Sequence, residues 1–158
     1  DPDLAGLVER EMAVLAREWP RDLPHSVIHA DLFPDNVLML GDTVSGLIDF
    51  YFACTDITAY DLAITHAAWC FGDSGRTFNP QVSQALMAGY RSIRSLSQEE
   101  QAKLPILARG AAMRFLMTRS YDWLNTASDA LVTRKDPMAF ARRLEFYADP
   151  RNAGCFAA

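Results

Sequence analysis

The sequence predicts an α+β domain, mainly helical, in which a helical body carries one small β-hairpin and the chemistry gathers at the hairpin's open end. Three observations predict it. Apolar residues recur at helical spacing in about five or six segments. One stretch, Val27 to Phe50 (VIHADLFPDNVLMLGDTVSGLIDF), is instead short, β-branched and broken by turns. The length of 158 residues, 50% of them hydrophobic and 22% charged, suits a single domain with a real core.

Residues 3 to 19 read as a helix, with Leu4, Leu7, Val8, Met12, Leu15 and Trp19 on one face, Asp3 as N-cap and Pro20 as the stop. Val27 to His29 reads as a buried strand, and Asp31 to Asn36 as a loop broken by Pro34. Val37 to Leu40 and Val44 to Ile48 read as two strands around a Gly41-Asp42 turn. Neither alternates cleanly, which predicts that both of their faces are covered. Ala59 to Phe71 reads as a buried helix and Gly72 to Asn79 as a loop; Pro80 then opens a helix to Arg94 at its N1 position. Ser97-Gln98-Glu99-Glu100 fits a capping box for a short helix, and Pro105 is expected to start another that runs to Asn125. Asp136-Pro137 is expected to open a last helix to Tyr147, with a frayed tail from Asp149.

The net charge of −5 argues against a nucleic-acid or anionic-membrane surface, and no apolar run approaches the roughly 20 residues that span a bilayer. The first residues lack a signal-peptide pattern. The three cysteines, Cys54, Cys70 and Cys155, match neither a metal nor a disulfide framework. Cys54 and Cys70 sit among apolar neighbours, so both are expected to be buried, and a reducing, cytoplasmic compartment fits best.

The chemistry concentrates in the hairpin stretch. His29-Ala30-Asp31 is followed five positions later by Asn36, and Asp49 opens an Asp-Phe-Tyr triplet at the hairpin's exit. With Asn36 just before one strand and Asp49 just after the other, an antiparallel pair sets the two side by side, near Asp31. Phosphoryl transfer from ATP needs a carboxylate for the attacking hydroxyl, and an amide oxygen and a second carboxylate for Mg²⁺. The protein-kinase pattern H-R-D-L-x-x-x-N followed by D-F-G has that order; here Ala30 replaces the arginine and Tyr51 the glycine. Taken singly each element has a structural explanation, and only their joint order and spacing point to a kinase. With Ala30, no Ala-Pro-Glu and no room for an activation loop between Asp49 and the helix holding Asp61, a small-molecule acceptor is favoured over a protein.

The blocks VIHADLFPDNVLMLGD, SGLIDFYFAC, AYDLAI, AWCF, LARGAAMRFLMTRSYDWLN and KDPMAF cover most of residues 27 to 140. In these the chain resembles the C-terminal lobe of the aminoglycoside-phosphotransferase/choline-kinase family, and within it the bacterial homoserine kinases, whose fold is that of the protein kinases. The resemblance implies Asp31 as catalytic base, Asn36 and Asp49 as ligands of Mg²⁺ bridging the ATP phosphates, and His29 and Asp61 as supports of the catalytic loop. It implies L-homoserine as the small-molecule substrate and threonine biosynthesis as the setting. Tyr51, Arg114 and Arg119 are weaker candidates for the substrate pocket, since Arg suits a carboxylate; Asp35 reads as a turn residue, and Phe115, Leu116 and Trp123 as core.

The resemblance assigns no residue of this sequence to adenine. The family's N-terminal lobe, with its glycine-rich loop and strand lysine, has no match here; Lys103 and Lys135 lie in other contexts. The expectation is therefore that residues 1–158 form a C-terminal lobe alone, inactive or nearly so without its partner lobe, with an exposed face that could self-associate. Two other readings stay open: an aminoglycoside, choline or sugar kinase, and a truncated, non-catalytic binding module.

Overall fold

Helix-forming stripes and one hairpin are what the chain builds. The computed structural model describes residues 2–126 and 134–157. They run α1 (Pro2–Glu18), β1 (His25–Ile28), β2 (Val37–Leu40), β3 (Thr43–Leu47), β4 (Cys54–Ile57), α2 (Thr58–Trp69), α3 (Pro80–Ile93), α4 (Gln98–Asn125) and α5 (Met138–Ala148), with 3₁₀ turns at Pro34–Asn36, Phe50–Phe52 and Pro150–Phe156. The mainly helical α+β class is as expected.

The core is built where α2 crosses α4 and α4 meets α5. Ala59, Ala63, Ile64 and Ala67 of α2 are fully buried, as are Leu104, Leu107, Ala108, Ala111, Ala112 and Leu116 of α4 and Phe140 and Leu144 of α5. Alanines on both sides let the backbones approach while the leucines fill the space between. Helix α1 is tied on by a largely buried Arg109–Glu11 ion pair (2.7 Å), and by Trp19, which lies where a Cβ on Gly110 would have to go.

Helix starts match the sequence closely. Ser97 Oγ accepts from Glu100 N–H (3.1 Å) and the Glu100 carboxylate accepts from Ser97 N–H (2.9 Å), a complete capping box. Asn79 caps α3 ahead of Pro80, and Asp136 Oδ1 accepts from Met138 N–H at the start of α5. Pro105, however, does not start a helix. It lies inside α4, which is continuous from Gln98. A proline there forfeits one backbone bond and about 3 kcal/mol. Burial of Leu104, Ile106 and Leu107 around it supplies more than that, at roughly 1.5–3 kcal/mol each.

Five further expectations need correcting. The strand before the loop is His25–Ile28 and is not buried throughout, Val27 being 79% exposed. Strand β4 was not foreseen; it pairs antiparallel with β1, His25 opposite Ile57 and Ile28 opposite Cys54, and so fixes where β1 ends and the loop begins. On this edge Cys54 is exposed, not buried; Cys70 is buried. The β2–β3 hairpin is open to solvent: Leu40 and Val44 are 77% and 57% exposed, and Leu38, Met39 and Leu47 are exposed too. Its lack of alternation thus reflects apolar side chains on uncovered faces. The tail is docked. Asp149 caps the turn Pro150–Phe156, Ser83 Oγ donates to Cys155 O (2.6 Å), and the buried Phe156 ring lies 4.3 Å from His66.

Gly75 sits at φ +72°, in the loop between α2 and α3, and a Cβ there would run into the Ala139 carbonyl at the start of α5. Gly75→Ala is expected to lower the unfolding free energy by about 2 kcal/mol or more, combining left-handed strain with backbone overlap. The check is a urea midpoint; an unchanged midpoint would mean that the loop and α5 do not touch.

Candidate active site

The loop from His29 to Asn36 leaves β1 in a conformation that turns several of its backbone polar groups inward, where they find partners. Ala30 is left-handed (φ 62°), an uncommon position for alanine that needs support. Asp61, in the first turn of α2, supplies it. Its two carboxylate oxygens accept from His29 N–H (3.1 Å) and Ala30 N–H (2.8 Å). On the other side Arg114 Nη1 donates to Ala30 O (2.5 Å), Asn36 Nδ2 to Asp31 O (2.8 Å), and Trp69 Nε1 to Leu32 O (2.9 Å). Satisfied this way, a partly buried loop holds one geometry without regular structure.

His29 links the two halves of the site. Asp31 N–H donates to its Nδ1 (3.3 Å), so Nε2 carries the proton and donates to Ile48 O (2.9 Å). One buried ring thus braces both the loop that carries Asp31 and the strand exit that carries Asp49. Phe50 packs on it at 4.7 Å.

Asn36 and Asp49 do not pair directly. The β2–β3 register shifts between Leu38 and Met39, which brings Val37 opposite Leu47, and Ile48 N–H donates to Asn36 O (3.1 Å). Counted from Leu40 opposite Thr43, a regular register would leave Asn36 opposite Leu47, so the shift carries Asn36 toward Asp49 but stops one residue short of it. Asp49 follows one residue on, left-handed at φ 62°, and it still lines the same cleft as Asp31 and Asn36. That cleft is about 260 Å³, with Phe52, Thr118 and Asp122 also in its wall. Thr118 and Asp122 carried no sequence signal beyond one-turn spacing on α4.

Hydrogen bonding orients the oxygens. Asn36 Nδ2 also donates to Asp31 Oδ2 (3.3 Å), and because both its partners are acceptors the amide can face only one way. Asn36 Oδ1, Asp31 Oδ1 and the exposed Asp49 carboxylate make no hydrogen bond among the described residues. Burial pushes the Asp31 carboxyl above its usual range; Arg114 counteracts this, and the nearby Asp49 charge adds to it. Two free hard oxygens, on an amide and a carboxylate, suit Mg²⁺ bound with waters and phosphates. Among the described residues no group of three or more His, Cys, Asp or Glu could hold a metal ion unaided.

The weaker candidates divide. Arg119 lines the cleft. Arg114 lines it too, but its guanidinium is engaged: it holds Ala30 O and lies over Phe52 (5.1 Å) and Phe115 (4.7 Å). Tyr51 is 86% exposed, packs edge-on against Phe52 and is absent from the cleft wall, because the 3₁₀ turn after Asp49 swings it outward. Asp35 pairs with Lys135 (3.0 Å), which closes one side of the cleft, a contact across 100 residues that local pattern could not reveal. Phe115 and Leu116 are core; Trp123 is half-exposed near the end of α4.

A family model described as phosphotransferase enzyme family (APH) matches residues 1–96. The chain is 56% identical over 153 residues to a homoserine kinase of Methylobacterium radiotolerans, a match that takes in 97% of this chain and 47% of that protein. It is 57% identical to homoserine kinases of Gluconobacter oxydans and Parvibaculum lavamentivorans, each over 92% of this chain and 46% and 45% of the relative. The chain thus spans about half the length of the curated relatives it matches. No described helix is long and apolar enough to cross a membrane. With more than half of its residues matched by the family model, the chain belongs to the phosphotransferase enzyme family.

Proposed function

We propose that this chain is the base-and-metal half of an ATP-dependent homoserine kinase, which makes O-phospho-L-homoserine for threonine biosynthesis in the cytoplasm. The observation that supports the reading is the meeting of Asp31, Asn36 and Asp49 in the wall of one cleft. The substrate assignment leans on the relatives named as homoserine kinases.

In this reading Asp31 Oδ1 accepts a hydrogen bond from the acceptor hydroxyl and aims its oxygen at the γ-phosphorus. As the new O–P bond forms and the bond to ADP breaks, the hydroxyl proton passes to Asp31. Partial burial makes Asp31 a better proton acceptor than a solvated aspartate. Mg²⁺, held at Asn36 Oδ1 and Asp49, would neutralise charge on the phosphates. His29 and Asp61 hold the loop and touch no substrate. The glycine-rich loop and lysine that clamp the nucleotide belong, we propose, to the half of the enzyme outside the matched region, so residues 1–158 alone are close to inactive. The exposed apolar hairpin is a surface on which that half, or a second copy, could sit.

The test is ADP release by the complete gene product with L-homoserine, choline or kanamycin as acceptor. Homoserine-dependent release is expected. Release with choline or kanamycin but not homoserine would move the substrate within the family; release with none would favour the non-catalytic module.

A further inference from the structure

A larger cavity, about 570 Å³, adjoins the catalytic cleft, and Phe33, Asp35, Arg119 and Lys135 stand in the walls of both. Its wall carries four cations, Arg119, Arg134, Lys135 and Arg143, against three carboxylates, Asp35, Asp73 and Asp136. Lys135 is paired with Asp35, and Asp136 lies 3.7 Å from Arg142. Arg119 and Arg143, both in the cavity wall, have no carboxylate within ion-pair distance among the described residues, only more distant ones: Asp136, Asp35 and Asp31 for Arg119, and Asp73 for Arg143. They lie against the same ring: Arg119 Cζ is 4.5 Å and Arg143 Cζ 4.4 Å from the centre of Phe140.

Arg143 is the more demanding of the two. It is 97% buried, its relative exposure being 3%. Among the described residues its one hydrogen bond runs from Nη2 to Gly72 O (3.1 Å), and its buried Nε has no partner there. Among the described residues Arg119 makes a single long bond, to Asp136 O (3.4 Å). Ring contacts offset only part of the desolvation of a buried guanidinium. The consequence is visible in both acidities: burial, then the neighbouring Arg119, draws Arg143 down to about 10, and burial lowers Arg119 as well. Two desolvated cations beside one ring, next to a cleft with a free carboxylate base, are the setting for an anion that arrives with the substrate.

We propose that Arg119 and Arg143 form the subsite for the α-carboxylate of the acceptor amino acid, an assignment that rests on the homoserine-kinase reading. Arg119 stands at the junction, its charge felt by Asp31 as well as by the larger cavity. An acceptor whose hydroxyl faces Asp31 therefore points its other end past Arg119 toward Arg143. Asp73 is the one carboxylate of the cavity wall with no ion pair among the described residues, which suits an α-ammonium group. Arg114, equally suggestive as a sequence feature, is held on Ala30 O instead.

The experiment uses the complete gene product and two acceptors, L-homoserine and 3-aminopropan-1-ol, which keeps the hydroxyl and the amine and lacks the carboxylate. Turnover and calorimetric binding are measured for wild type, Arg143→Met, Arg143→Lys and Arg119→Met, with melting curves as a check on folding. Arg143→Met replaces an incompletely bonded buried cation by an apolar chain of similar length, so it is expected to fold. The wild type should prefer L-homoserine in binding and in KM. Arg143→Met and Arg119→Met should each raise the L-homoserine KM at least tenfold, leave the KM for ATP unchanged, and bring the two acceptors level; Arg143→Lys should keep part of the preference. Should Arg143 merely tie down Gly72, both acceptors would change together, and an unchanged preference in the Met variants overturns the subsite while leaving the function intact. Arginine-dependent homoserine binding without turnover would sink the kinase reading alone. A wild type that neither binds nor phosphorylates homoserine overturns both.

Discussion

Asp31→Asn is expected to reduce turnover about 10²–10⁴-fold and, at neutral pH, to make the folded protein more stable. The two effects have one cause. Burial raises the folded-state Asp31 carboxyl above its ordinary value of 3.8, so the native state binds that proton more tightly than the unfolded chain does. Stability then falls as pH rises from about the ordinary carboxyl range through the raised value, and the penalty persists above it. Asparagine carries no charge, and its side-chain oxygen can still accept from Asn36 Nδ2. The variant's advantage should be present at pH 7 and vanish near pH 3, where Asp31 is protonated in both states. Urea melts at the two pH values, with m unchanged, check it. A variant less stable than wild type at pH 7 would mean that Asp31 stabilises the fold and is not held at its expense.

Asp61→Ala is the counterpart, large in stability and indirect in catalysis. It removes the acceptor of two N–H groups, those of His29 and Ala30, at the point where Ala30 is left-handed. Each orphaned donor costs about 1–3 kcal/mol, so a loss of about 2–6 kcal/mol is expected. Turnover should fall by more than tenfold even in the fraction that remains folded, since Asp31 is the next residue along. Asp61→Asn can accept from one N–H only and should lie between. Hydrogen exchange at the His29 and Ala30 amides separates this from general destabilisation: those two should lose protection before the core amides of α4 do. Equal exchange across the molecule would contradict the local role.

Residue pattern carried much of this site because its parts lie close together in the chain. Asp31, Asn36 and Asp49 fall within nineteen positions, and a strand, a loop and a hairpin leave them few arrangements. The capping box at Ser97 and the Asn79-Pro80 start were legible for the same reason, being local chemistry. What escaped needed partners from afar or a balance of energies. Pro105 looks like a helix start, and only the burial of its neighbours carries α4 through it. Strand β4 is too short and polar to announce itself, and exists because β1 needs a partner. Arg114 on Ala30 and Lys135 on Asp35 are contacts across 84 and 100 residues. Arg143 carried no signal at all, since a basic residue on an amphipathic helix ordinarily faces solvent, and its burial depends on where α5 docks.

The most direct test of the central claim follows phosphorus. The complete gene product is incubated with MgATP and L-homoserine, and the fate of the γ-phosphate is followed by ³¹P NMR in wild type and in Asp49→Asn. The reading of Asp31, Asn36 and Asp49 as base and metal ligands predicts a phosphomonoester on the homoserine hydroxyl, equal in amount to the ADP formed, and a large loss of that signal in Asp49→Asn that added Mg²⁺ only partly restores. ADP accompanied only by inorganic phosphate, or phosphohomoserine formed as fast by Asp49→Asn as by wild type, would contradict it.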